Sequence, residues 1–200
     1  MAVITISRQL GSGGSAVAQL VADRLGFRIL DRELVDAVAA RAGVSPAAAR
    51  SLDERAYGWA SALVYSLLLA FQGQQLTQES YQYLATRLIR EAAARENVVI
   101  LGRAGQVVVG SRPDAFHVHV VAPIEERVAR IAERKRLTHE QARKLIAETD
   151  EGRRTYVWAV GQRDWADPLL YDLIVNTHRL SPNAVATLVV EGARSAGVVR

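Results

Sequence analysis

Residues 2–31 read AVITISRQLGSGGSAVAQLVADRLGFRILD. The stretch opens on AVITIS, a β-branched apolar run with the composition of a buried strand. SRQLGSGGS follows, a loop carrying Gly11, Gly13 and Gly14. In AVAQLVADRLG, Val17, Leu20, Val21 and Leu25 fall at helical spacing, and Gly26 suits the helix end. FRIL then reads as a second strand, ending on Asp31. Strand, glycine loop, helix and strand together open an α/β sheet that grips phosphate. The glycines let the backbone approach an anion, and the helix N-terminus offers unpaired N–H groups with a partial positive charge.

Two loop types compete for this pattern. The dinucleotide fingerprint G-x-G-x-x-G/A is matched by Gly11, Gly13 and Ala16, with Asp31 where a ribose-binding acid falls. The P-loop pattern G-x-x-x-x-G-K-[ST] is matched in part, with Ser7 read at its first glycine, Gly13 at its second and Gly14 in place of the lysine. The distance from strand to glycines favours the P-loop. In the dinucleotide turn the first glycine follows the strand almost at once, whereas Arg8, Gln9 and Leu10 intervene here. The bland alternative is a glycine turn that binds nothing.

The whole chain sets wider bounds. Its 200 residues fit a single domain, 1–200, with room for a lid or insertion, and half of them are hydrophobic, enough for a core. There is no cysteine, which excludes disulfides and thiolate chemistry, and the four histidines are too scattered for a metal cluster. No signal peptide precedes the first strand, so a cytoplasmic protein is expected. A net charge of +4, with many arginines among its positive groups, suits phosphate-bearing ligands but is too mild to imply nucleic acid.

Further along, ELVDAVAARA (33–42) and PAAARSLDERA after Ser45 read as helices. YGWASALVYSLLLAF (57–71) is apolar nearly all round but too short and interrupted for a membrane span. It reads as a helix buried in the core or at a homodimer interface. Residues 77–95 form an amphipathic helix with Thr77 as its cap. NVVILG (97–102), FHVHVVAP (116–123) and YDLIVNT (171–177) are further strands. IEERVARIAERKR and LTHEQARKLIAETDEGRR are helices, the second starting from a T-x-x-Q capping box at Thr138, and SPNAVATLVVEGAR closes the chain. The expected architecture is a five-stranded parallel sheet between helical layers, with ligands at the C-terminal ends of the strands. Those ends carry the glycine loop, Asp31–Arg32 and Gly102–Arg103. Arg153, Arg154 and Arg163, beside Asp150 and Asp164, precede the last strand. Arginine forks grip phosphate oxygens in pairs, and phosphoryl transfer needs mainly positioning and cations.

The chain resembles the cytidylate kinase-like proteins, relatives of the nucleoside monophosphate kinases. The marks are ITISRQLGSGGSAVA, FRILDRELV, VVILGRAG, FHVHVVAP followed by EERVARI, Asp150–Glu151–Gly152–Arg153 with Tyr156, Asp164–Trp165 and YDLIVNT. The resemblance implies a three-layer α/β/α P-loop kinase-like fold, with a helical substrate-binding region over about 43–95 and a small arginine-bearing lid over about 137–165. It implies ATP with Mg2+ as donor and a nucleoside monophosphate such as CMP as acceptor. Carried across, Gly11, Ser12, Gly13, Gly14 and Ser15 hold the ATP phosphates, and Asn176 and Thr177 lie near the adenine. Asp31, Arg32 and Arg103 face the acceptor, and Arg153, with Arg154 beside it, serves the transferred group. Two positions depart from the family pattern: Gly14 replaces the loop lysine, and Ala104 replaces an acid after the third-strand Gly-Arg. Arg8 is the nearest substitute cation, and the hydroxyl of Ser15, ahead of Ser12, is the expected magnesium ligand.

The first functional expectation is therefore a nucleotide kinase. The second is a nucleotide-binding regulatory protein that has lost catalysis, motivated by Gly14 and Ala104. The third is a dinucleotide-dependent enzyme, motivated by the literal fingerprint. No nucleic acid and no membrane partner is expected. The apolar 57–71 segment, with Trp59, Tyr65 and Phe71, predicts a homodimer. Light scattering at high micromolar concentration tests it, and a monomer there removes the expectation.

Overall fold

A computed structural model describes residues 1–31 and 78–200. Five parallel strands alternate with helices: β1 (Val3–Arg8), α1 (Gly14–Leu25), β2 (Arg28–Leu30), α2 (Gln78–Arg95), β3 (Val98–Leu101), α3 (Gly105–Val109), β4 (Ala115–Val121), α4 (Ile124–Lys135), α5 (His139–Gly161), β5 (Leu173–Asn176) and α6 (Pro182–Ser195). One 3₁₀ turn, Pro168–Leu170, precedes β5. The strand order is β2-β3-β1-β4-β5. This differs from the 3-2-1-4-5-6 order of the dinucleotide fold, so the G-x-G-x-x-A match is a coincidence of loop composition. The expected helices at 33–42 and beyond Ser45, the 57–71 dimer segment, Arg32 and most of the 43–95 region lie outside the described residues.

β1 sits at the centre because both its edges are paired. Val3 lies opposite Val98 of β3 and Ala115 of β4, and the register runs in parallel from there. The chain leaves β1 toward β2 on one side and returns to β4 on the other. The loop after β1 therefore opens at the point where the strand order reverses, which is where such sheets bind ligands.

The pleat sorts the strand residues onto two faces. Ile4, Ile6, Phe116, Val118 and Val120 pack with Val17 and Val21 of α1 and Val185 and Val189 of α6. Val3, Val98 and Ile100 pack on the other side with Ala85, Ile89 and Ala93 of α2 and Val108 of α3. That second face turns polar toward the strand ends, where Thr5, Ser7, His117 and His119 are all buried. The two histidines of FHVHVV thus share one face of β4, a break in what reads as a uniformly apolar strand.

Local signals operate as their chemistry dictates. Gly26 ends α1 in the left-handed conformation and donates to Ala22 O. Thr138 and Gln141 form both bonds of a capping box at α5. Ser181 caps α6 with Pro182 in its first turn. The segment 137–165, read as a lid, is mostly one helix, α5, of 23 residues packed along α4 through Val128, Ile131, Ala142 and Ile146. Strand β4 stops at Val121 rather than Pro123, and β5 covers 173–176 rather than 171–177.

Ile6 is fully buried beneath α1. Ile6→Ala is expected to lower stability by about 2–5 kcal/mol, read as a urea midpoint shift without a change in slope.

Candidate functional site

The loop stays fastened to the sheet as it leaves β1. Gln9 N donates to Val120 O at 3.0 Å, and Gln9 Oε1 accepts from Ala122 N at 3.1 Å. Ser12 folds the loop back, since its N and Oγ both donate to Gln9 O, at 3.2 and 2.8 Å. Gly11 and Gly13 hold φ of 83° and 84°, where side chains are disfavoured. Val17 N bonds back to Gly13 O at 3.2 Å. The amides of Gly14, Ser15 and Ala16 stand ahead of it, with no carbonyl of the helix behind them. No side chain caps this end and no acid lies in the first turn, so its partial positive charge is left for a ligand. The Ser15 side chain is exposed there, whereas Ser12 is buried with its hydroxyl committed to Gln9 O.

Helices α4 and α5 clamp the loop from outside. Asp150 Oδ1 accepts from Leu10 N at 2.8 Å, and its Oδ2 accepts from Arg127 Nη1 at 2.5 Å. Arg127 also donates to Leu10 O at 3.2 Å. One turn on, Arg153 donates to Arg8 O at 2.6 Å and lies 3.4 Å from Asp150 Oδ1. The i, i+3 spacing of Asp150 and Arg153 puts both on the α5 face that meets the loop. Arg130 donates to Gly11 O at 3.3 Å and to Thr177 O at 3.3 Å. The Thr177 hydroxyl donates to Ser12 O at 2.8 Å. Thr177, read as lying near adenine, therefore braces the loop from the end of β5. Asn176 is exposed and its Oδ1 accepts from His178 N at 3.0 Å.

Arg8 turns its side chain inward. Four residues lie between the two P-loop glycines, which places Arg8, not Ser7, at the first glycine position. A Cβ added at Gly14 would lie 2.5 Å from Arg8 Cβ and 3.0 Å from its Cγ. A Cβ at Gly102 would lie 2.0 Å from Arg8 Nη1. The arginine thus runs from the start of α1 to the end of β3, over two residues that have no side chain. Its Nε is buried with no hydrogen-bond partner among the described residues. Ser7, one residue back, faces the other way in the pleat and accepts from Trp165 Nε1 at 2.6 Å.

At the end of β3, Gly102, Arg103 and Ala104 all adopt positive φ, 78°, 56° and 50°. Two non-glycine residues in this region cost on the order of 1–2 kcal/mol each. The left-handed turn aims Arg103 at Asp31 after β2, with Nη2 to Oδ1 at 3.9 Å. Ala104 sits buried against Tyr156, Val157 and Trp165. Burial, partly offset by Asp31, pushes Arg103 down to about 10. Burial first, and then repulsion from Arg8, pushes Arg153 down to about 9, with Asp150 and Asp31 acting against it. Arg8 is shifted the same way by burial. Arg103 and Arg153 therefore remain charged at neutral pH.

The sequence residues thus separate. Arg8, Asp31, Arg103 and Arg153 come together beside the Gly11–Ser15 loop. Arg154 does not join them; it is half-exposed and paired with Glu151. Arg163 is exposed. The bracing residues Arg127 and Arg130 gave no one-dimensional signal beyond helical spacing, and nothing in the sequence gave Thr177 its bracing role. Nor did a buried group beneath Arg153: His119 stacks on Trp165 and Tyr171 at 5.1 and 4.7 Å between ring centroids. Its Nε2 is buried without a hydrogen-bond partner among the described residues. Its neighbour His117 is fully engaged. Nε2 lies 3.1 Å from Gly110 O, which can only accept, so that nitrogen carries the proton and Nδ1 accepts from Thr5 Oγ1 at 2.8 Å.

Comparison with known proteins agrees with this geometry. The model of the cytidylate kinase-like family matches residues 3–179. The cytidylate kinase of Ignicoccus hospitalis is 31% identical over 186 residues, covering 92% of this chain and 95% of that protein. An uncharacterized protein from Eubacterium ventriosum superposes with a TM-score of 0.74 at 18% identity, over 98% of this chain and 99% of its own. Shikimate kinase from Acinetobacter baumannii, in complex with shikimate, gives 0.54 at 15% identity, over 98% and 94%. These likenesses establish a three-layer α/β/α fold of the P-loop kinase type.

His119 carries a pH signature. Burial, and then Arg153, pushes it down to about 4 from an ordinary 6.5. The unfolded chain binds the proton first as pH falls, so stability is full above about 6.5 and declines through the window down to about 4. His117 is pushed down by burial too and keeps its own share of that decline. His119→Phe is expected to flatten the loss of Tm between pH 6.5 and 4.5. An unchanged slope would assign the decline to other groups.

Proposed function

The chain belongs to the cytidylate kinase-like family, and from that premise we propose that it is a nucleotide kinase, transferring the γ-phosphoryl group of ATP to a nucleoside monophosphate of the CMP type. One observation carries the reading. Three guanidiniums from separate elements, Arg8 of β1, Arg103 after β3 and Arg153 of α5, gather near the carboxylate of Asp31 at the mouth of a glycine loop whose helix N-terminus is uncapped.

In this reading the amides from Gly13 to Ala16 hold the β-phosphate, where the helix dipole favours negative charge. Asp31 and Arg103 face the acceptor. An oxygen of the acceptor monophosphate bonds to the γ-phosphorus, the bond to the β–γ bridging oxygen breaks, and ADP leaves. The products are ADP and a nucleoside diphosphate. Little covalent help is needed from the protein, because positioning and spread positive charge lower the barrier. Arg153, carried by the 137–165 lid and kept charged, faces the moving group. Magnesium, when bound, would neutralise phosphate charge, and the chain would hold it through little more than the Ser15 hydroxyl. Among the described residues no three His, Cys, Asp or Glu cluster as a metal cage. The exposed Ser15 hydroxyl suits an ion held mainly by substrate phosphates and water. The second reading, a nucleotide-binding regulator without turnover, is favoured by Gly14 and Ala104.

A panel of monophosphates with ATP and magnesium tests both readings. Turnover with CMP above the other acceptors supports the first, and ATP binding without turnover with any acceptor supports the second. Gly13→Ala probes the loop. A Cβ there meets nothing within 4 Å, but φ is 84°, a conformation that alanine holds only under strain, so the amides of the loop are expected to shift. The variant is expected to stay folded, losing about 1–2 kcal/mol of stability to left-handed strain. Its ATP affinity should fall at least about tenfold, equivalent to 1.4 kcal/mol. Unchanged affinity by calorimetry would remove the loop as the phosphate site.

A further inference from the structure

The missing lysine and the extra arginine occupy one volume. In the P-loop pattern position 8 is glycine and position 14 is lysine; in this chain position 8 is arginine and position 14 is glycine. The structure gives the reason for the pairing. Any Cβ at position 14 would sit 2.5 Å from the Cβ of residue 8. That contact involves the root of the side chain, which cannot swing away, so it concerns every residue with a Cβ and not arginine alone. Loop and helix therefore accept a side chain at 8 or at 14, but not at both.

We propose that Arg8 and the P-loop lysine are alternative occupants of one cation site, and that Arg8 supplies the loop's charge to the transferring phosphoryl group. This rests on the kinase reading above. The stem of Arg8 lies against Gly14, whose amide belongs to the uncapped start of α1, so it passes directly beside the donor phosphates. The guanidinium rests on Gly102, where the chain turns to present Arg103 to the acceptor side. The head is thereby placed between donor and acceptor, where charge moves during transfer. Gly102 is required as well, because a Cβ there would overlap Nη1. Arg153 Nη1 donates to the backbone carbonyl of Arg8 at 2.6 Å and so fixes the origin of the Arg8 side chain. Arg8 Nε is buried and makes no hydrogen bond among the described residues, so the guanidinium is not committed at that atom to another group of the fold.

A substitution cycle tests the exchange. Wild type, Arg8→Gly, Gly14→Lys, Arg8→Gly/Gly14→Lys and Arg8→Ala/Gly14→Lys are compared for melting temperature, Mg·ATP affinity and phosphoryl transfer to CMP. Arg8→Gly is expected to lose about 10²–10³ in rate, as for removal of a loop cation. Gly14→Lys alone is expected to melt lower and lose activity, since it collides with Arg8. Arg8→Gly/Gly14→Lys, which completes the G-x-x-x-x-G-K-S pattern, is expected to return to within about tenfold of wild type, 1.4 kcal/mol in barrier. Arg8→Ala/Gly14→Lys is expected to stay impaired, because alanine retains the Cβ.

Four results would overturn the proposal. One is wild-type affinity and turnover in Arg8→Gly. Another is no gain from adding lysine to the glycine variant. A third is equal recovery in the alanine and glycine doubles. Absence of Mg·ATP binding by wild type would overturn it together with the kinase reading. If wild type binds Mg·ATP without transferring phosphate, the kinase reading alone fails. The same cycle is then read in affinity, where rescue by the glycine double and not the alanine double supports the shared cation site.

Discussion

The Asp150 carboxylate joins three pieces of chain that would otherwise separate. It accepts from the backbone of the loop at Leu10, from Arg127 of α4 and from Arg153 of its own helix. With 12% of the Asp150 side chain and 9% of the Arg127 side chain exposed, the pair is largely desolvated. A pair of this kind adds little net stability relative to an apolar contact, yet losing one partner leaves a buried charge uncompensated. Its effect here is geometric. Loop, α4 and α5 hold one relative position, and the left-handed glycines and uncapped helix start depend on it.

On the inner side of the loop the charge balance is reversed. Arg8, Arg103 and Arg153 share Asp31, and burial lowers the affinity of all three for their protons. Repulsion between Arg8 and the other two adds to the effect. The folded chain holds this excess positive charge at a cost, and an anion bound among the three would relieve it. Ligand binding and fold stability are then coupled, since whatever binds only the folded form stabilises it by mass action. The strained Gly102–Ala104 turn belongs to the same balance, because it aims Arg103 at the cost of left-handed backbone.

Much of this was legible in the chain. AVITIS, NVVILG and YDLIVNT read as strands because parallel strands buried on both faces are apolar throughout. Gly26, Thr138 and Pro182 marked helix ends because their backbone and capping chemistry is local. Asp31, Arg103 and Arg153 could be placed near the loop from topology alone. The rest is tertiary. Arg127, Arg130 and Thr177 brace the loop through contacts spanning 117 to 165 residues of sequence, and nothing in their neighbours announces it. Thr177 read as a ligand contact, whereas its hydroxyl is used inside the protein. The alternation that buries His117 and His119 was hidden inside an apolar run. The meaning of Gly14 came only from the Cβ it lacks.

The central place of β1 also governs how the chain can be made. β1 is synthesised first, yet Val3 pairs with Val98 and Ala115, about a hundred residues later. At ~5–20 residues per second of translation, Ile4 and Ile6 wait on the order of ten seconds without neighbours on either edge. The loop waits longer, since its braces at Asp150 and Thr177 emerge near the end. A nascent chain therefore carries the full glycine motif without a pocket to bind nucleotide. Occupancy of the finished site reports that synthesis has passed Thr177.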